Sequence, residues 1–219
     1  MTEFASARSE ILSRLREALQ DVPASEQPAG VAVTRAYRHS GSDEYEEMLA
    51  RFIERVADYK VKVQRVPEGA LARTIAAACA EHHVRRLVVP VDVPAAWLPA
   101  QVELLRDAPP LSNEQLDGSD GVLTGCALGI AQTGTIVLDG GAAQGRRVLT
   151  LLPDYHLCVI REDQIVDLVP EAITRLGQAV QLEHRPLTFI SGPSATSDIE
   201  LNRVEGVHGP RTLEVLIYR

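Results

Sequence analysis

Cysteine is scarce in this chain of 219 residues, and its three copies, Cys79, Cys126 and Cys158, lie far apart. An odd and scattered set does not form the disulfide framework typical of small secreted domains. The chain also lacks any Cys-x-x-Cys pair, which disfavours a structural zinc or an iron–sulfur cluster held by this chain alone. We therefore expect no cofactor and no metal in this chain, and we interpret Cys79 and Cys158 as small buried hydrophobic residues.

Long apolar runs and an excess of basic charge are missing as well. No run approaches the roughly 18 apolar residues that a membrane span needs, and residues 1–20 lack the apolar core of a secretory signal. Lys and Arg number 22 against 30 Asp and Glu, a net charge of −8. Because nucleic-acid binding needs a basic surface, this balance argues against a nucleic-acid partner. These absences predict a cytoplasmic protein with no membrane span.

What remains is the composition of an ordinary globular protein, 45% hydrophobic and 24% charged, which suits a single α/β domain with a small appendage. Residues 5–20 carry apolar side chains at helical spacing, and Pro23 and Pro28 interrupt the chain that follows. We therefore predict an N-terminal helix and linker over residues 1–40 and a single α/β domain over residues 41–219.

Helical and strand-like patterns alternate through the predicted domain. Helices are predicted at residues 43–58, with Ser42 as N-cap, and at residues 68–81 and 170–181. Strands are predicted at residues 61–66, 87–89, 102–105, 121–123, 135–138, 156–160, 187–190 and 213–217. This order predicts a mixed, mostly parallel sheet with helices on both sides.

The loop after the strand at residues 187–190 is the first candidate site, because open α/β sheets bind ligands beyond the carboxyl ends of their strands. It contains Ser191, Gly192, Ser194 and Thr196. Gly192 permits a tight turn, and the hydroxyl and backbone N–H groups can hold a carboxylate or a phosphate. The alternative is an ordinary polar loop that ends in a helix cap.

Three titratable residues near the C-terminus are candidate acid–base groups. Asp198 and Glu200 follow the serine-rich loop, although their spacing does not place them on one face of a helix or strand. His208 titrates near neutral pH and can orient a ligand, although a single histidine in a turn is often structural.

Two further segments of small residues contain candidate ligand contacts. Residues 139–147 hold three glycines and end in Arg146 and Arg147, and an arginine can bind an anion through two parallel hydrogen bonds. The loop matches no known phosphate-binding fingerprint, so a flexible turn with two solvated arginines is the alternative. The small residues of the segment 125–135 let the backbone approach a helix or a ligand. Cys126 lies in this segment, and the sequence supplies neither a lowered pKa nor a base to activate it.

Four segments, in this order and spacing, resemble the lactate-utilisation protein C (LutC) family, also known as the LUD domain: residues 131–138, 151–156, 191–200 and 206–211. The resemblance implies a NagB/RpiA/CoA-transferase-like α/β fold. It also implies an accessory role in the oxidation of L-lactate to pyruvate, beside two partner proteins that carry the iron–sulfur chemistry. Such partners fit the absence of cysteine motifs here.

The chain departs from that family at two positions. Gln132 stands where many relatives have Glu, and an amide cannot form the acyl anhydride that covalent CoA transfer requires. Ala195 stands where relatives often have Arg, so we expect Arg146, Arg147 or Arg211 to neutralise a bound anion instead.

Sequence and resemblance together predict one pocket for a small carboxylate or phosphate, built where these segments meet. Its predicted ligand-binding residues are Thr133, Gly134, Thr135, Arg146, Arg147, Ser191, Gly192, Ser194, Thr196 and Arg211. Two alternatives stay open. One is a stand-alone small-molecule enzyme of the isomerase, CoA-transferase or folate cyclo-ligase-like fold group, with Asp198, Glu200 or His208 as acid or base. The other is a regulatory ligand-binding module.

Overall fold

The computed structural model describes residues 3–23, 33–41, 44–193 and 209–219, and the chain divides into two units, residues 1–37 and 38–219. The first unit contains α1 (Glu3–Ala18), which begins and ends two residues before the predicted bounds. Its apolar residues Ile11 and Leu15 are exposed. The predicted boundary at residue 40 between an N-terminal segment and a single domain stays a prediction.

The described part of the second unit contains four α-helices and ten strands. The helices are α2 (Tyr45–Asp58), α3 (Glu68–Glu81), α4 (Asn113–Asp117) and α5 (Val169–Gln181). The strands are β1 (Lys62–Val66), β2 (Arg86–Val89), β3 (Glu103–Arg106), β4 (Gly121–Thr124), β5 (Leu128–Ile130), β6 (Thr135–Leu138), β7 (Tyr155–Arg161), β8 (Ile165–Val166), β9 (Thr188–Ile190) and β10 (Thr212–Tyr218). No helix in the described ranges is long and apolar enough to cross a membrane.

The strands form two sheets. The larger has the order β1-β10-β7-β4-β2-β3, and all its strand pairs are parallel. The smaller has the order β8-β5-β6-β9, in which β6 runs antiparallel to both β5 and β9. The larger sheet is buried on both faces, as the unbroken apolar run Leu87, Val88 and Val89 in β2 requires.

Helices cover both faces of the larger sheet. Phe52 and Val56 of α2 join an apolar cluster that lies between the two sheets and includes Val215. Ile75 of α3 packs on the opposite face, in a cluster with Leu216. Because neighbouring residues of a strand point to opposite faces, β10 supplies both clusters in turn.

The structure confirms the α/β class, the mostly parallel strands and the helices on both sides. Two parts of the prediction are wrong in detail. The N-cap of α2 is Glu44, in an extended conformation and without a side-chain cap, rather than Ser42. The strand predicted at residues 187–190 lies in the smaller sheet, antiparallel to β6, so its carboxyl end does not lie at the carboxyl edge of the parallel sheet.

Candidate functional site

An open groove of about 530 Å³ lies where β2, β3 and β6 end. We name it the carboxyl-edge groove, because β2 and β3 are parallel neighbours and their carboxyl ends form its rim. Open α/β proteins bind ligands at this edge. The charged residues that line it are Asp92, Asp107, Asp139, Arg146, Arg147 and Arg185.

The loop over residues 139–147 is held in shape by its own hydrogen bonds. The Asp139 N–H donates to Gln144 Oε1 over 2.7 Å, and Gln144 Nε2 donates back to Asp139 Oδ1 over 2.8 Å. The Ala143 N–H donates to Asp92 Oδ2 over 2.8 Å, which ties the loop to the segment after β2. Gly145 has a φ of +68°, a left-handed conformation that favours glycine. These contacts fix the backbone from which the Arg146 and Arg147 side chains extend.

Arg146 is engaged within the protein. Its Nε and Nη2 each donate to an Asp107 carboxylate oxygen over 2.7 Å. The Arg146 guanidinium, helped by the Leu111 N–H, lowers the pKa of Asp107 below its ordinary value. The charge of Arg146 is therefore compensated before any ligand binds.

Arg147 differs from its neighbour, because it forms no ion pair with any carboxylate in the described ranges. Its Nη1 donates to Thr150 Oγ1 over 2.7 Å and to the Thr150 carbonyl over 3.2 Å. Partial loss of solvation lowers the pKa of the guanidinium below its ordinary value, a direction that disfavours the charged form. An arginine nevertheless stays cationic in proteins.

A smaller cavity of about 70 Å³, which we name the inner pocket, adjoins the carboxyl-edge groove and shares five lining residues with it: Gly140, Gly145, Arg146, Arg147 and Pro186. The hydroxyl-bearing residues Thr150 and Thr188 also line it. Among the described residues, Arg147 therefore brings a cation without a carboxylate partner to a small cavity, which is the chemistry of an anion site. The Thr150 hydroxyl is already engaged, because it accepts from Arg147 Nη1 and donates to the Arg147 carbonyl over 3.2 Å.

A buried histidine lies near Arg147. His156 is 1% exposed, and its Nε2 lies 2.7 Å from Thr124 Oγ1. Burial lowers the pKa of His156 to about 3, and the positive charge of Arg147 adds to the effect. The imidazole is therefore neutral at physiological pH and does not neutralise an anion.

Three predicted ligand residues form a second group, which we name the hydroxyl cluster: Thr133, Thr135 and Ser191. Thr135 Oγ1 lies 2.7 Å from Thr133 Oγ1 and 2.8 Å from Ser191 Oγ. The two predicted glycines help to place this group beside the end of α2. Gly134 has a φ of +60°, and Gly192 has a φ of +81° with Tyr59 directly against it.

The structure separates two groups that the sequence placed in one pocket. The hydroxyl cluster lies at the beginning of β6 and the loop over residues 139–147 follows its end, about 10 Å along the strand. Thr135 also faces away from Leu138, because side chains alternate along a strand. The two groups therefore line different parts of the structure, and the ligand-binding role of each stays a prediction.

The remaining predicted residues are placed as follows. Arg211 Nη1, just before β10, lies 3.4 Å from Oδ2 of Asp154, just before β7, and both side chains are exposed. Cys126 is buried, and its contact with Cys158 together with burial raises the pKa of its thiol, which disfavours a nucleophilic role. Ser194, Thr196, Asp198, Glu200 and His208 lie outside the described residues.

In the described part of the chain, no three His, Cys, Asp or Glu side chains form a group that could hold a metal ion.

Sequence reasoning missed three charged residues of the carboxyl-edge groove, Asp92, Asp107 and Arg185. Asp107 directly follows β3 and Asp92 comes three residues after β2, so the rule that pointed to other loops also applied to them. Arg185 gave no such signal. Its Nη1 reaches Asp139 Oδ2 over 3.2 Å across 46 residues of sequence.

Comparisons with known proteins identify the family. A family model described as the LUD domain matches residues 49–218. The lactate utilization protein C of Deinococcus radiodurans is 52% identical over 171 residues, which cover 78% of this chain and 79% of that protein. The lactate utilization protein C of Halalkalibacterium halodurans is 38% identical over 100 residues, which cover 44% of this chain and 43% of that protein.

A solved structure agrees with the sequence comparisons. The crystal structure of a DUF162 family protein from Deinococcus radiodurans matches with a TM-score of 0.72 and 44% identity, covering 81% of this chain and 100% of that chain. The family match includes every strand and helix of the second unit except the beginning of α2. The chain therefore belongs to the LUD domain family, as its motifs predicted.

Proposed function

We propose that this chain serves in lactate utilization, as an accessory component of a system that oxidises L-lactate to pyruvate. The observation that supports this most strongly is its 52% identity, over 78% of its length, to a lactate utilization protein C. The fold agrees, but the same fold can host many activities. The proposal therefore depends on the relatives rather than on the architecture.

Deletion of the encoding gene is expected to abolish or strongly slow growth on L-lactate as the sole carbon source. Growth on pyruvate is expected to stay normal, because pyruvate enters after the proposed step. A plasmid copy of the intact gene is expected to restore growth on lactate. Normal growth of the deletion strain on lactate would contradict the proposal, and an equal defect on pyruvate would place the function outside lactate oxidation.

The site that we propose for this role is a small-anion site at Arg147. The inner pocket combines the Arg147 cation with the hydroxyl of Thr188, and Thr150 holds the guanidinium in place through a hydrogen bond of 2.7 Å. A carboxylate or a phosphate group supplies the negative countercharge for this arginine. Arg146 takes a supporting role, because its pairing with Asp107 anchors the loop from which Arg147 projects.

We also propose that the redox chemistry resides on iron–sulfur partner proteins and that this chain holds no cofactor. All three cysteines are buried, which leaves no exposed thiol in the chain to ligate a cluster.

A tagged full-length chain, isolated from cells grown on lactate, is expected to co-purify with proteins that contain iron and acid-labile sulfide. The tagged chain isolated from a strain that lacks those partners is expected to contain neither. Cluster content in the isolated chain itself would overturn the assignment, as would the absence of any iron–sulfur protein from the lactate-grown sample.

A further inference from the structure

We propose that the carboxyl-edge groove and the inner pocket together bind a nucleoside phosphate. This inference rests on the anion site proposed above and names the class of molecule that the site takes. The phosphate would lie in the inner pocket at Arg147, and the nucleoside would lie along the carboxyl-edge groove.

The sizes of the two cavities point to a ligand with a small charged head and a larger body. The inner pocket has a volume of about 70 Å³, which suits a single anionic group. The carboxyl-edge groove has a volume of about 530 Å³, within the range of roughly 300–1,000 Å³ that holds drug-sized ligands and cofactors. A three-carbon acid such as lactate would leave most of this groove empty.

The number of donors around the inner pocket favours a phosphate over a carboxylate. Nε and Nη2 of Arg147 donate to no acceptor in the described ranges. The backbone N–H groups of Gly145, Arg146 and Arg147 also have no acceptor there, and Gly145 adopts a left-handed φ of +68°. Successive N–H groups beside a left-handed residue are a recurring feature of phosphate-binding loops. A phosphate monoester presents three terminal oxygens to such donors.

The charges of the carboxyl-edge groove leave one cation and one anion without a countercharge. Arg146 is paired with Asp107, and Arg185 lies 3.2 Å from Asp139. Arg147 and Asp92 remain, and Asp92 forms no ion pair in the described part of the chain. Its Oδ2 accepts from the Ala143 N–H, while its Oδ1 has no donor among the described residues. A ligand that carries a phosphate and a pair of hydroxyl groups complements both residues.

A ribose supplies such hydroxyls, and an acidic residue after a strand is a common partner of ribose hydroxyls in α/β folds. The wall of the groove also offers an apolar surface. Val91 is 56% exposed, although it is a large hydrophobic residue, and Pro90 and Pro186 line the same groove. A planar base can cover this surface, and arginine side chains at the rim can stack on it.

Isothermal titration calorimetry on the full-length chain tests the inference, with AMP, GMP, UMP, inorganic phosphate, adenosine and L-lactate as probes. At least one nucleotide is expected to bind about tenfold or more tightly than phosphate, a difference that direct titration resolves. Adenosine and lactate are expected to bind more weakly than that nucleotide.

Three variants locate the site. Arg147→Ala is expected to weaken both phosphate and nucleotide binding about tenfold or more. Asp92→Asn keeps the acceptor for the Ala143 N–H. This variant is expected to weaken nucleotide binding while leaving the affinity for phosphate unchanged. Arg161→Ala removes an exposed arginine that pairs with Asp163 outside the groove, and it is expected to change neither affinity. Thermal unfolding of each variant checks that it is folded.

The outcomes separate this inference from the anion site on which it rests. If phosphate binds in an Arg147-dependent manner and no nucleotide binds more tightly, the nucleoside part is overturned and the anion site stands. If neither phosphate nor any nucleotide binds, both proposals fail. If a nucleotide binds equally well to wild type and to Arg147→Ala, the proposed location is wrong.

Discussion

Replacement of Glu214 by alanine is expected to lower the free energy of unfolding by about 3 kcal/mol. Glu214 lies in β10, between β1 and β7 of the larger sheet, and it is fully buried. Its Oε2 accepts a hydrogen bond of 2.9 Å from the Tyr155 hydroxyl, and its Oε1 lies 3.3 Å from both Lys62 Nζ and Gln64 Nε2. His82 Nε2 approaches Oε2 to 3.3 Å from the end of α3.

The cost has two sources that can be separated by experiment. Alanine leaves the buried Tyr155 hydroxyl without an acceptor, which by itself costs about 1–3 kcal/mol, and it also leaves a cavity. Glu214→Gln keeps the volume and one acceptor oxygen, so a smaller loss is expected. Glu81→Ala removes an exposed partner of Lys62 and serves as the control, with little expected change. Urea unfolding curves in which Glu214→Ala matches Glu81→Ala would show that the network adds no stability.

The sequence predicts much of this fold because apolar periodicity is local information. The helix predicted at residues 68–81 has those bounds in the structure. The alanine-rich segment favours a helix, and Pro67 marks where the helix starts. The run Leu87, Val88 and Val89 indicated a strand covered on both faces, and all three residues are fully buried.

The sequence did not predict the smaller sheet, because two of its strands are too short to show a local apolar pattern. β5 has three residues and β8 has two, which is too short for a two-residue periodicity to be recognised. Without these strands, the segment at residues 187–190 was assigned to one mixed sheet rather than to a second sheet. Its antiparallel pairing with β6 is set by tertiary contacts, and this pairing places Ser191 far from the loop that contains Arg147.

The candidate site shows the same limit at the level of single side chains. Arg146 and Arg147 are neighbours in sequence, with identical chemistry and almost identical surroundings along the chain. The partner that distinguishes them is Asp107, which lies 39 residues from Arg146. Loop composition can therefore predict that arginines are present, but only the packed structure shows which of them keeps its charge available.

His156 makes the chain sensitive to mild acid in a way that can be measured separately from its carboxylates. In the unfolded chain a histidine has an ordinary pKa near 6.5, whereas burial lowers the pKa of folded His156 to about 3. Below pH 6.5 the unfolded state therefore binds a proton that the folded state does not. Stability is lost as the pH falls from about 6.5 toward 3. Asp107 and Glu162 also have lowered pKa values. The stability that these carboxylates contribute is lost near and below their ordinary pKa values, close to pH 4.

Between pH 7 and pH 5, wild type is expected to lose about 2 kcal/mol more unfolding free energy than the His156→Gln variant. Glutamine does not titrate, and it can still form a hydrogen bond with Thr124, so His156→Gln should unfold with a flatter pH dependence even if it is less stable at pH 7. His83→Asn is the matched control, because His83 is exposed at a φ of +54° that asparagine tolerates. Urea midpoints measured from pH 7 to pH 5 give the comparison. Parallel pH profiles for wild type and His156→Gln would mean that His156 is protonated in the folded state, and the neutral imidazole beside Arg147 would then have to be abandoned.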